Sequence, residues 1–223
     1  MNQLTLGIDD AGRGPVIGPM ILAGCLLNKE TEKELKELGV KDSKQLTAKR
    51  REFLAEKIRE KAETFEIVIT KPLEIDEKMN KGINLNSIEA IKTAQIINKI
   101  NKGYNKIKVV VDCPSVNITT WQDFLKTKIK NLRNLEISCE HKADRNHVSV
   151  SAASILAKST REKEMDKLKK IYGNEIGSGY TSDATTIKFL EKQGAKYKDS
   201  GIFRKTWITW KKIFSDSKQK KLF

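Results

Sequence analysis

Four aspartates stand where predicted strands end or turn, and carboxylates in such positions can meet to do metal chemistry. Two of them follow the alternating segment 4–8, one follows the apolar run 109–111, and one lies in a short turn before residue 148. Open α/β sheets bind ligands outside the carboxyl ends of their strands, so separate segments can bring these acids together. The acids are Asp9, Asp10, Asp112 and Asp144.

Carboxylates held close together repel one another, and a hard divalent cation relieves the repulsion. Because all the donors are oxygen atoms, Mg²⁺ or Mn²⁺ is expected rather than zinc. Two such ions about 4 Å apart can activate water and stabilise the attacking and leaving oxygens of a phosphodiester. The structural alternative, in which each aspartate only caps a turn, explains any one of them more easily than the whole set.

Asp9 and Asp10 are consecutive, and neighbouring residues within a strand point to opposite faces of a sheet. The Ala-Gly pair at 11–12 indicates that the strand is already ending at Asp10. We therefore expect both carboxylates to face one site.

The glycine-rich segment 12–18 superficially has the pattern of a dinucleotide-binding turn. Strand signals follow it rather than a helix, and two carboxylates adjoin the place of the pyrophosphate, which disfavours that function. The chain also lacks the Gly-x-x-x-x-Gly-Lys-[Ser/Thr] pattern of a P-loop. Gly12 and Gly14 are better explained as positions where the backbone approaches a ligand closely and offers it amide donors.

The net charge of +14, from 43 basic and 29 acidic residues, favours a polyanionic partner. Four basic residues and no acid occupy 124–135, and seven basic residues stand against one aspartate in 201–223. A solvated helix face would mix the two signs, so the clustering indicates nucleic-acid binding. Basic surroundings for a polyanion, together with an acidic metal site, predict a metal-dependent nuclease.

Strand and helix patterns alternate along the chain, which is typical of an α/β domain. Residues 4–8 and 16–27 predict two strands joined by a tight Gly-Arg-Gly turn, and 66–70, 107–111 and 135–138 predict further strands. Periodicity and capping residues predict helices over 31–38, 47–65, 86–98, 148–172, 183–193 and 201–214. We expect one α/β domain over residues 1–175 and a helical appendage with a basic tail over 176–223.

The composition argues against several other classes of protein. The most apolar stretch, 15–27, has 13 residues and is broken by glycine and proline, so no membrane span is expected. The opening residues lack a basic n-region and a cleavage site, which favours a cytoplasmic location. The three cysteines form no C-x-x-C pair, so neither a disulfide framework nor a cysteine zinc site is expected.

Five sequence blocks resemble ribonuclease HII, the type II ribonuclease H family, and they occur in the family's order. The first block, Gly-Ile-Asp-Asp-Ala-Gly-Arg-Gly-Pro-Val-Ile-Gly-Pro at 7–19, resembles the opening signature of that family. The other blocks are 40–46, 111–112, 142–144 with 150–158, and 177–183. Together they span most of residues 4–185, and the tail and composition are most similar to the archaeal branch.

The resemblance implies a ribonuclease H-like mixed sheet flanked by helices, and an endoribonuclease that cleaves the RNA strand of RNA–DNA hybrids. It also implies cleavage at single ribonucleotides embedded in duplex DNA, leaving 3′-hydroxyl and 5′-phosphate ends. In the matching blocks, the four acidic positions bind Mg²⁺ or Mn²⁺, with two ions at the site during catalysis. These positions are Asp9, Asp10, Asp112 and Asp144.

The same resemblance assigns residues to nucleic-acid binding. Gly12, Arg13 and Gly14 resemble the element that grips the nucleotide carrying the 2′-hydroxyl, the group that distinguishes RNA from DNA. Tyr180 resembles the tyrosine that stacks at the RNA–DNA junction. The residues expected to contact phosphates are Lys41, Ser43 and Lys44.

Two positions depart from the family's pattern. Asp10 stands where the family has glutamate, and Thr181 stands where it commonly has proline. An aspartate is shorter than a glutamate by one methylene, so we expect reduced activity or a changed metal preference.

Other functions stay open beside this one. One is a different nuclease on the same fold, such as a junction resolvase, and another is a nucleic-acid-binding relative whose site is weakened or inactive. The end of the chain, 219–223, resembles the peptide with which archaeal relatives bind a sliding clamp, although a plain basic tail accounts for it equally well.

Overall fold

The computed structural model describes residues 3–40, 46–103 and 105–219, and these form two compact units. The first unit consists of the described parts of residues 1–11, 21–68 and 86–160. The second unit consists of the described parts of residues 12–20, 69–85 and 161–223.

A five-stranded mixed sheet is the scaffold for the predicted acidic residues of the first unit. Its strand order is β3-β2-β1-β4-β5. Strand β1 pairs antiparallel with β2 and parallel with β4, and β4 pairs parallel with β5. The strands are β1 (Leu4–Ala11), β2 (Met20–Asn28), β3 (Thr64–Thr70), β4 (Ile107–Asp112) and β5 (Leu135–Glu140).

Eight α-helices lie within the described residues, and several begin at a side chain that accepts a backbone N–H of the first turn. Such N-caps are Asn28, Thr47, Asn117 and Asp183. Two short 3₁₀ turns, Ala143–Arg145 and Asn174–Ile176, flank the sixth helix in the chain. The helices are α1 (Lys29–Glu37), α2 (Ala48–Lys61), α3 (Pro72–Asn80), α4 (Leu85–Ile100), α5 (Ile118–Lys126), α6 (Val148–Tyr172), α7 (Ala184–Gln193) and α8 (Ile208–Gln219).

Helices cover both faces of the sheet in the first unit. On one face, alternate residues of β2, including Ala23 and Cys25, share a buried core with α2 and with the first half of α6. On the other face, Gly24 lies so close to α4 that an added Cβ would meet the side chains of Ile96 and Ile100. Burial of both faces explains why β2 is apolar almost without interruption.

The contact between α6 and β1 is a direct backbone approach. A Cβ added to Gly7 would collide with the backbone of Ser149 and Val150. The small residues at the start of α6, such as Ala152 and Ala153, are fully buried in the same layer. This close packing brings α6 over the strand that carries Asp9.

The second unit has its own apolar core. Aromatic side chains continue it into α8, with ring centroids 4.7 Å apart for Phe203 and Trp210 and 4.2 Å apart for Trp210 and Phe214. Its fully or nearly buried members are Val16, Ile17, Ile176, Phe189, Leu190, Ile202, Phe203 and Trp210.

Most of the predicted elements are confirmed, but the connection between the first two strands is wrong. The segment 12–19 is an eight-residue loop rather than a tight turn, and β2 begins only at Met20. Val16 and Ile17 have a strand-like pattern because they belong to the core of the second unit, where Ile17 makes a single bridge to Phe203. Strand β1 also continues through Ala11 instead of ending at Asp10.

Other differences concern helices. Helix α3 was not expected, although Pro72 at its first turn is a helix-start signal, and neither was α5. The helix predicted over 201–214 begins only at Ile208. The proposed boundary at residue 175 stays a prediction, and within the described part of the chain no helix is both long and apolar enough to cross a membrane.

Candidate active site

Asp9 lies near the end of β1 on the face that packs against α6. Asp9 is buried, with 7% of its surface exposed. The carboxylate accepts a hydrogen bond from the hydroxyl of Ser154 on α6 and another, of 2.7 Å, from the backbone N–H of Asp10. These neutral donors orient the carboxylate without neutralising its charge.

Asp112 ends β4, the parallel neighbour of β1. Ile8 pairs with Val111 in the register, so Asp9 and Asp112 each lie one residue beyond a paired position on adjacent strands. The backbone N–H of Ala143 donates to Asp112 Oδ1 over 2.9 Å. The carboxylate of Asp112 therefore holds the turn that carries the next acid in the chain.

Asp144 lies in the 3₁₀ turn Ala143–Arg145 and is buried. The turn is entered through Lys142, whose φ of 58° is left-handed. The hydroxyl of Ser151 on α6 donates to the backbone carbonyl of Asp144. Together with the bond from Ala143 to Asp112, these contacts fix Asp144 beside the ends of β4 and α6.

A histidine–glutamate pair joins the residues before and after the same turn. His147 Nε2 lies 2.9 Å from Glu140 Oε2, and Glu140 is the register partner of Asp112 on β5. The hydrogen bond with His147 lowers the pKa of Glu140. His141 Nδ1 lies 3.1 Å from the carbonyl of Cys113, so both histidines support this part of the sheet edge.

The acids interact electrostatically. The pKa of Asp9 is raised well above its usual range, first by burial and then by the charges of Asp10 and Asp112. Although β1 continues past Asp10, so that neighbouring side chains alternate in direction, the charge of Asp10 still reaches Asp9. Asp10 and Asp112 therefore both act on the charge of Asp9. Asp144 is connected to them through its neighbour Ala143, whose backbone N–H binds Asp112.

The donor chemistry of this cluster fits a hard divalent cation. All four predicted ligands are carboxylates, and the buried negative charge at Asp9 is of the kind that a cation compensates. Among the described residues, no group of three or more His, Cys, Asp or Glu side chains is arranged so that it could hold a metal ion. The shared ligand set stays a prediction.

The glycine loop lies in the second unit, where close contacts require glycine. Gly12 has a φ of 80°, and a Cβ there would come within 2.5 Å of Arg161 Nε and 2.8 Å of the Pro19 carbonyl oxygen. Gly14 is exposed, and a Cβ there would lie 4.0 Å from Tyr180 Cε1. Gly14 of the glycine loop and the ring of Tyr180 are therefore close neighbours.

Tyr180 is held by a polar loop before α7. Its ring, which is 38% exposed, has the guanidinium of Arg161 4.7 Å from its centroid. Arg161 also donates to the carbonyl of Ser178 over 2.9 Å. Asp183 closes the loop by accepting from the backbone N–H and hydroxyl of Ser178, at 2.7 and 2.8 Å.

The predicted site residues thus fall into three groups. The four acids belong to the first unit, and the glycine loop with Tyr180 belongs to the second. The predicted phosphate contacts, Lys41, Ser43 and Lys44, lie outside the described residues.

Comparison with known proteins identifies the family. A family model described as Ribonuclease HII matches residues 6–210. A ribonuclease HII from Methanocaldococcus jannaschii is 44% identical over 230 residues, which cover 99% of each chain. The chain belongs to the ribonuclease HII family.

Solved structures agree with this assignment. The ribonuclease H2 of Pyrococcus horikoshii matches with a TM-score of 0.87 and 37% identity, covering 97% of this chain and 100% of that one. The ribonuclease HII of Archaeoglobus fulgidus, solved in a complex with PCNA, matches with a TM-score of 0.80 and 37% identity, covering 92% and 95%. The predicted ribonuclease H-like fold is confirmed, and the chain is a ribonuclease H endonuclease of a metal-dependent family.

Some residues that position this ribonuclease HII site were not singled out from the sequence. Ser154 is one of these residues, and its hydroxyl donates to Asp9. Arg161 and Arg204 are basic residues that fold inward rather than facing solvent, with exposures of 9% and 0%. Sequence pattern offers no signal for inward arginines, because their carbonyl partners lie far away along the chain.

Replacing Asp9 with asparagine should raise the melting temperature of the metal-free protein. The change removes a buried charge that Asp10 and Asp112 repel, while the amide oxygen can still accept the bond from Ser154. We expect an increase of about 2–4 °C, equal to about 1 kcal/mol. Thermal unfolding in EDTA measures it, with Asp166→Asn as an exposed control that shifts little.

The same variant should lose the stabilisation that Mg²⁺ or Mn²⁺ gives the unchanged protein, because an ion that binds the folded state raises its melting temperature. A fall in the EDTA melting temperature would instead show that folding requires the negative charge of Asp9.

Asp183 makes a pH-dependent contribution to stability. The bonds from Ser178 hold the pKa of Asp183 well below its usual range, so the folded state binds fewer protons than the unfolded state. The stabilisation is present above a pH of about 4 and is lost as the pH falls below it.

Asp183→Asn should therefore lower the free energy of unfolding by about 0.3–1 kcal/mol at neutral pH, because asparagine still caps the helix but lacks the negative charge at its N-terminus. Urea titrations from pH 3 to pH 8 should show this difference constant above about pH 5 and shrinking toward about pH 3. Asp199→Asn, which removes an exposed ion pair with Lys205, serves as the control and should change little. A difference that persists unchanged at pH 3 would contradict the assignment.

Proposed function

We propose that this ribonuclease HII hydrolyses the RNA strand of RNA–DNA hybrids and also cleaves at single ribonucleotides embedded in duplex DNA. The products carry 3′-hydroxyl and 5′-phosphate ends. The observation that carries the proposal is the acidic cluster around the buried Asp9, in which burial and the charges of the half-buried Asp10 and Asp112 raise the pKa of Asp9. A fold that keeps repelling carboxylates together at strand ends suits the binding of cations rather than stability.

The proposed metal ligands are Asp9, Asp10, Asp112 and Asp144, and the proposed ions are Mg²⁺ or Mn²⁺, two during catalysis. When bound, such ions supply the activated water and the positive charge that stabilises the attacking and leaving oxygens of the phosphodiester. The protein's own contribution is orientation. Ser154 and the N–H of Asp10 orient Asp9, and the N–H of Ala143 orients Asp112.

Substrate recognition is proposed for the second unit. Gly12, Arg13 and Gly14 would grip the nucleotide that carries the 2′-hydroxyl, and Tyr180 would stack at the RNA–DNA junction. The exposed ring of Tyr180 and the closeness of Gly14 to it support this proposal. The chain's charge of +14 supports binding to a polyanion, to which Lys41, Ser43 and Lys44 would also contribute phosphate contacts.

A sliding clamp is a proposed protein partner. The related ribonuclease HII of Archaeoglobus fulgidus was solved in a complex with PCNA. The residues at the end of this chain that resemble a clamp-binding peptide, 219–223, lie almost entirely outside the described residues. The proposed clamp binding is therefore supported by the PCNA complex of this relative and by the sequence of residues 219–223. The C-terminal tail would bind the clamp.

A cleavage assay tests the proposed activity. With Mg²⁺ or Mn²⁺, the protein should cut a DNA duplex containing one ribonucleotide and an RNA–DNA hybrid, and it should leave an all-DNA four-way junction intact. Asp144→Asn should reduce cleavage by at least about 100-fold, because the loss of a metal ligand removes charge stabilisation in the transition state. Asp166→Asn, on the exposed surface, is the matched control and should keep full activity.

Each alternative gives a different result. Binding of the hybrid without metal-dependent cleavage would assign the chain to an inactive nucleic-acid-binding relative. Cleavage of the four-way junction alone would assign it to the junction resolvases.

Asp10→Glu tests the departure from the family's pattern. Adding one methylene should raise turnover with Mg²⁺ or shift the ratio of the rates with Mg²⁺ and Mn²⁺, because the carboxylate would then reach the position that the family uses. Steady-state rates with each metal measure both quantities. Unchanged turnover in both metals would show that the shorter reach of Asp10 is irrelevant.

A further inference from the structure

Arg204 is a fully buried arginine whose guanidinium binds the carbonyls of the glycine loop. Its Nη2 donates to the oxygens of Gly12 and Gly18 over 2.6 and 3.0 Å, and its Nη1 donates to the oxygen of Arg13 over 2.7 Å. Its Nε adds a bond of 3.1 Å to Gly18. One side chain thus holds three carbonyls on one side of the loop between β1 and β2.

Because the peptide group is planar, the direction of each carbonyl also fixes the direction of the N–H group that follows it. In a trans peptide the C=O of one residue and the N–H of the next point in opposite directions, and the described chain has no cis peptide bond. Because the carbonyls of Gly12 and Arg13 point toward Arg204, the N–H groups of Arg13 and Gly14 point away from it. Successive N–H groups aimed the same way form a concavity suited to oxygen acceptors.

Trp207 extends the arrangement by one residue. Its indole Nε1 donates to the carbonyl of Gly14 over 3.0 Å, and its ring lies 4.9 Å from the guanidinium carbon of Arg204. Three consecutive carbonyls, of Gly12, Arg13 and Gly14, are therefore drawn toward the segment 204–207. The carbonyl of Gly14 shares its peptide group with Pro15, which has no N–H. The N–H groups opposite the three carbonyls are therefore those of Arg13 and Gly14.

The segment that carries Arg204 is itself anchored by an acid. Asp76 of α3 is buried, and its carboxylate accepts from the backbone N–H of Lys205 and Thr206 over 2.6 and 3.0 Å. The backbone N–H of Arg204 donates to the carbonyl of Val16 over 2.8 Å, which ties the segment to the far end of the loop. Arg204 is thus held in position independently of the carbonyls that it binds.

We propose that Arg204 is a positioning residue for ribose discrimination: it turns the carbonyls of the glycine loop inward so that the N–H groups of Arg13 and Gly14 face the nucleotide carrying the 2′-hydroxyl. Trp207 does the same for Gly14. The proposal rests on the proposed function, in which this loop grips that nucleotide. It makes the selectivity for RNA depend on a residue that does not touch the substrate.

Lysine cannot replace this arginine. The flat guanidinium presents several donors in fixed directions, whereas an ammonium group is a point charge on a flexible stem and cannot span three carbonyls. In Arg204→Lys the loop is therefore free to rotate its peptide planes, and the two N–H groups lose their common direction. The substrate loses a preoriented pair of donors, while the four acids of the first unit are unchanged.

The test measures binding to two duplexes in EDTA, so that metal-dependent cleavage does not occur. One duplex carries a single ribonucleotide, and the other is all DNA of the same sequence. Fluorescence anisotropy gives the ratio of the two dissociation constants. In Arg204→Lys the preference for the ribonucleotide duplex should fall by about fivefold, or to unity, because the loss of one hydrogen bond changes an equilibrium by about this factor. Binding of the all-DNA duplex should change little.

Two further variants separate positioning from general loosening. Trp207→Phe removes only the N–H bond to Gly14 and keeps a ring beside Arg204, so it should reduce the preference partly, and it serves also if Arg204→Lys does not fold. Phe189→Leu loosens the apolar core of the same unit and should lower the melting temperature while leaving the preference intact.

The possible results are distinct. A full preference in Arg204→Lys or Trp207→Phe, or an equal loss in Phe189→Leu, would overturn the positioning role while the proposed grip on the 2′-hydroxyl stands. Equal binding of both duplexes by the unchanged protein would overturn the grip itself and the positioning role with it. Metal-dependent cleavage of the ribonucleotide duplex is measured separately and tests the activity alone.

Discussion

Repulsion between carboxylates at the ends of adjacent strands is the constraint on which this structure depends. Asp9 is buried between the sheet and α6, and the charges of Asp10 and Asp112 add to the cost of ionising it. Neutral donors orient two of these acids: the hydroxyl of Ser154 and the backbone N–H of Asp10 bind Asp9, and the backbone N–H of Ala143 binds Asp112. Asp9 therefore carries an unfavourable buried charge of the kind that a divalent cation compensates.

The surrounding fold makes this arrangement possible. The packing of α6 directly on Gly7 and the burial of both faces of β2 stabilise the sheet by apolar contact, which offsets the unfavourable charges. The turn that carries Asp144 is attached at several points, through Asp112, Ser151 and the pair of His147 with Glu140. Stability in the first unit therefore comes from parts of the molecule that do no chemistry.

The second unit handles charge in the opposite way. Arg161 and Arg204 are buried cations that donate to backbone carbonyls, of Ser178 for the first and of the glycine loop for the second. A buried arginine needs its donors satisfied, and a loop that turns sharply has carbonyls to offer. The donors of Arg204 meet the carbonyls of the glycine loop, so this loop acquires a defined backbone orientation without regular secondary structure.

The local pattern of the sequence determined much of the first unit. The alternation of apolar residues predicts most of the sheet, and the pattern of 148–172 predicts helix α6, because both patterns depend on neighbours along the chain. The blocks that resemble ribonuclease HII predict the family and its ribonuclease H activity, both of which the comparisons bear out. The individual roles of the site residues remain predictions.

Only the tertiary structure decided the course of the chain around the glycine loop. Val16 and Ile17 have the pattern of a strand but are core residues of the second unit, and their environment comes from residues such as Phe203 and Trp210. Arg204 is 192 positions from the carbonyl of Gly12 that it binds. Local propensity acts over a few residues, so a loop whose shape is set by a partner at the other end of the chain cannot be predicted from its own sequence.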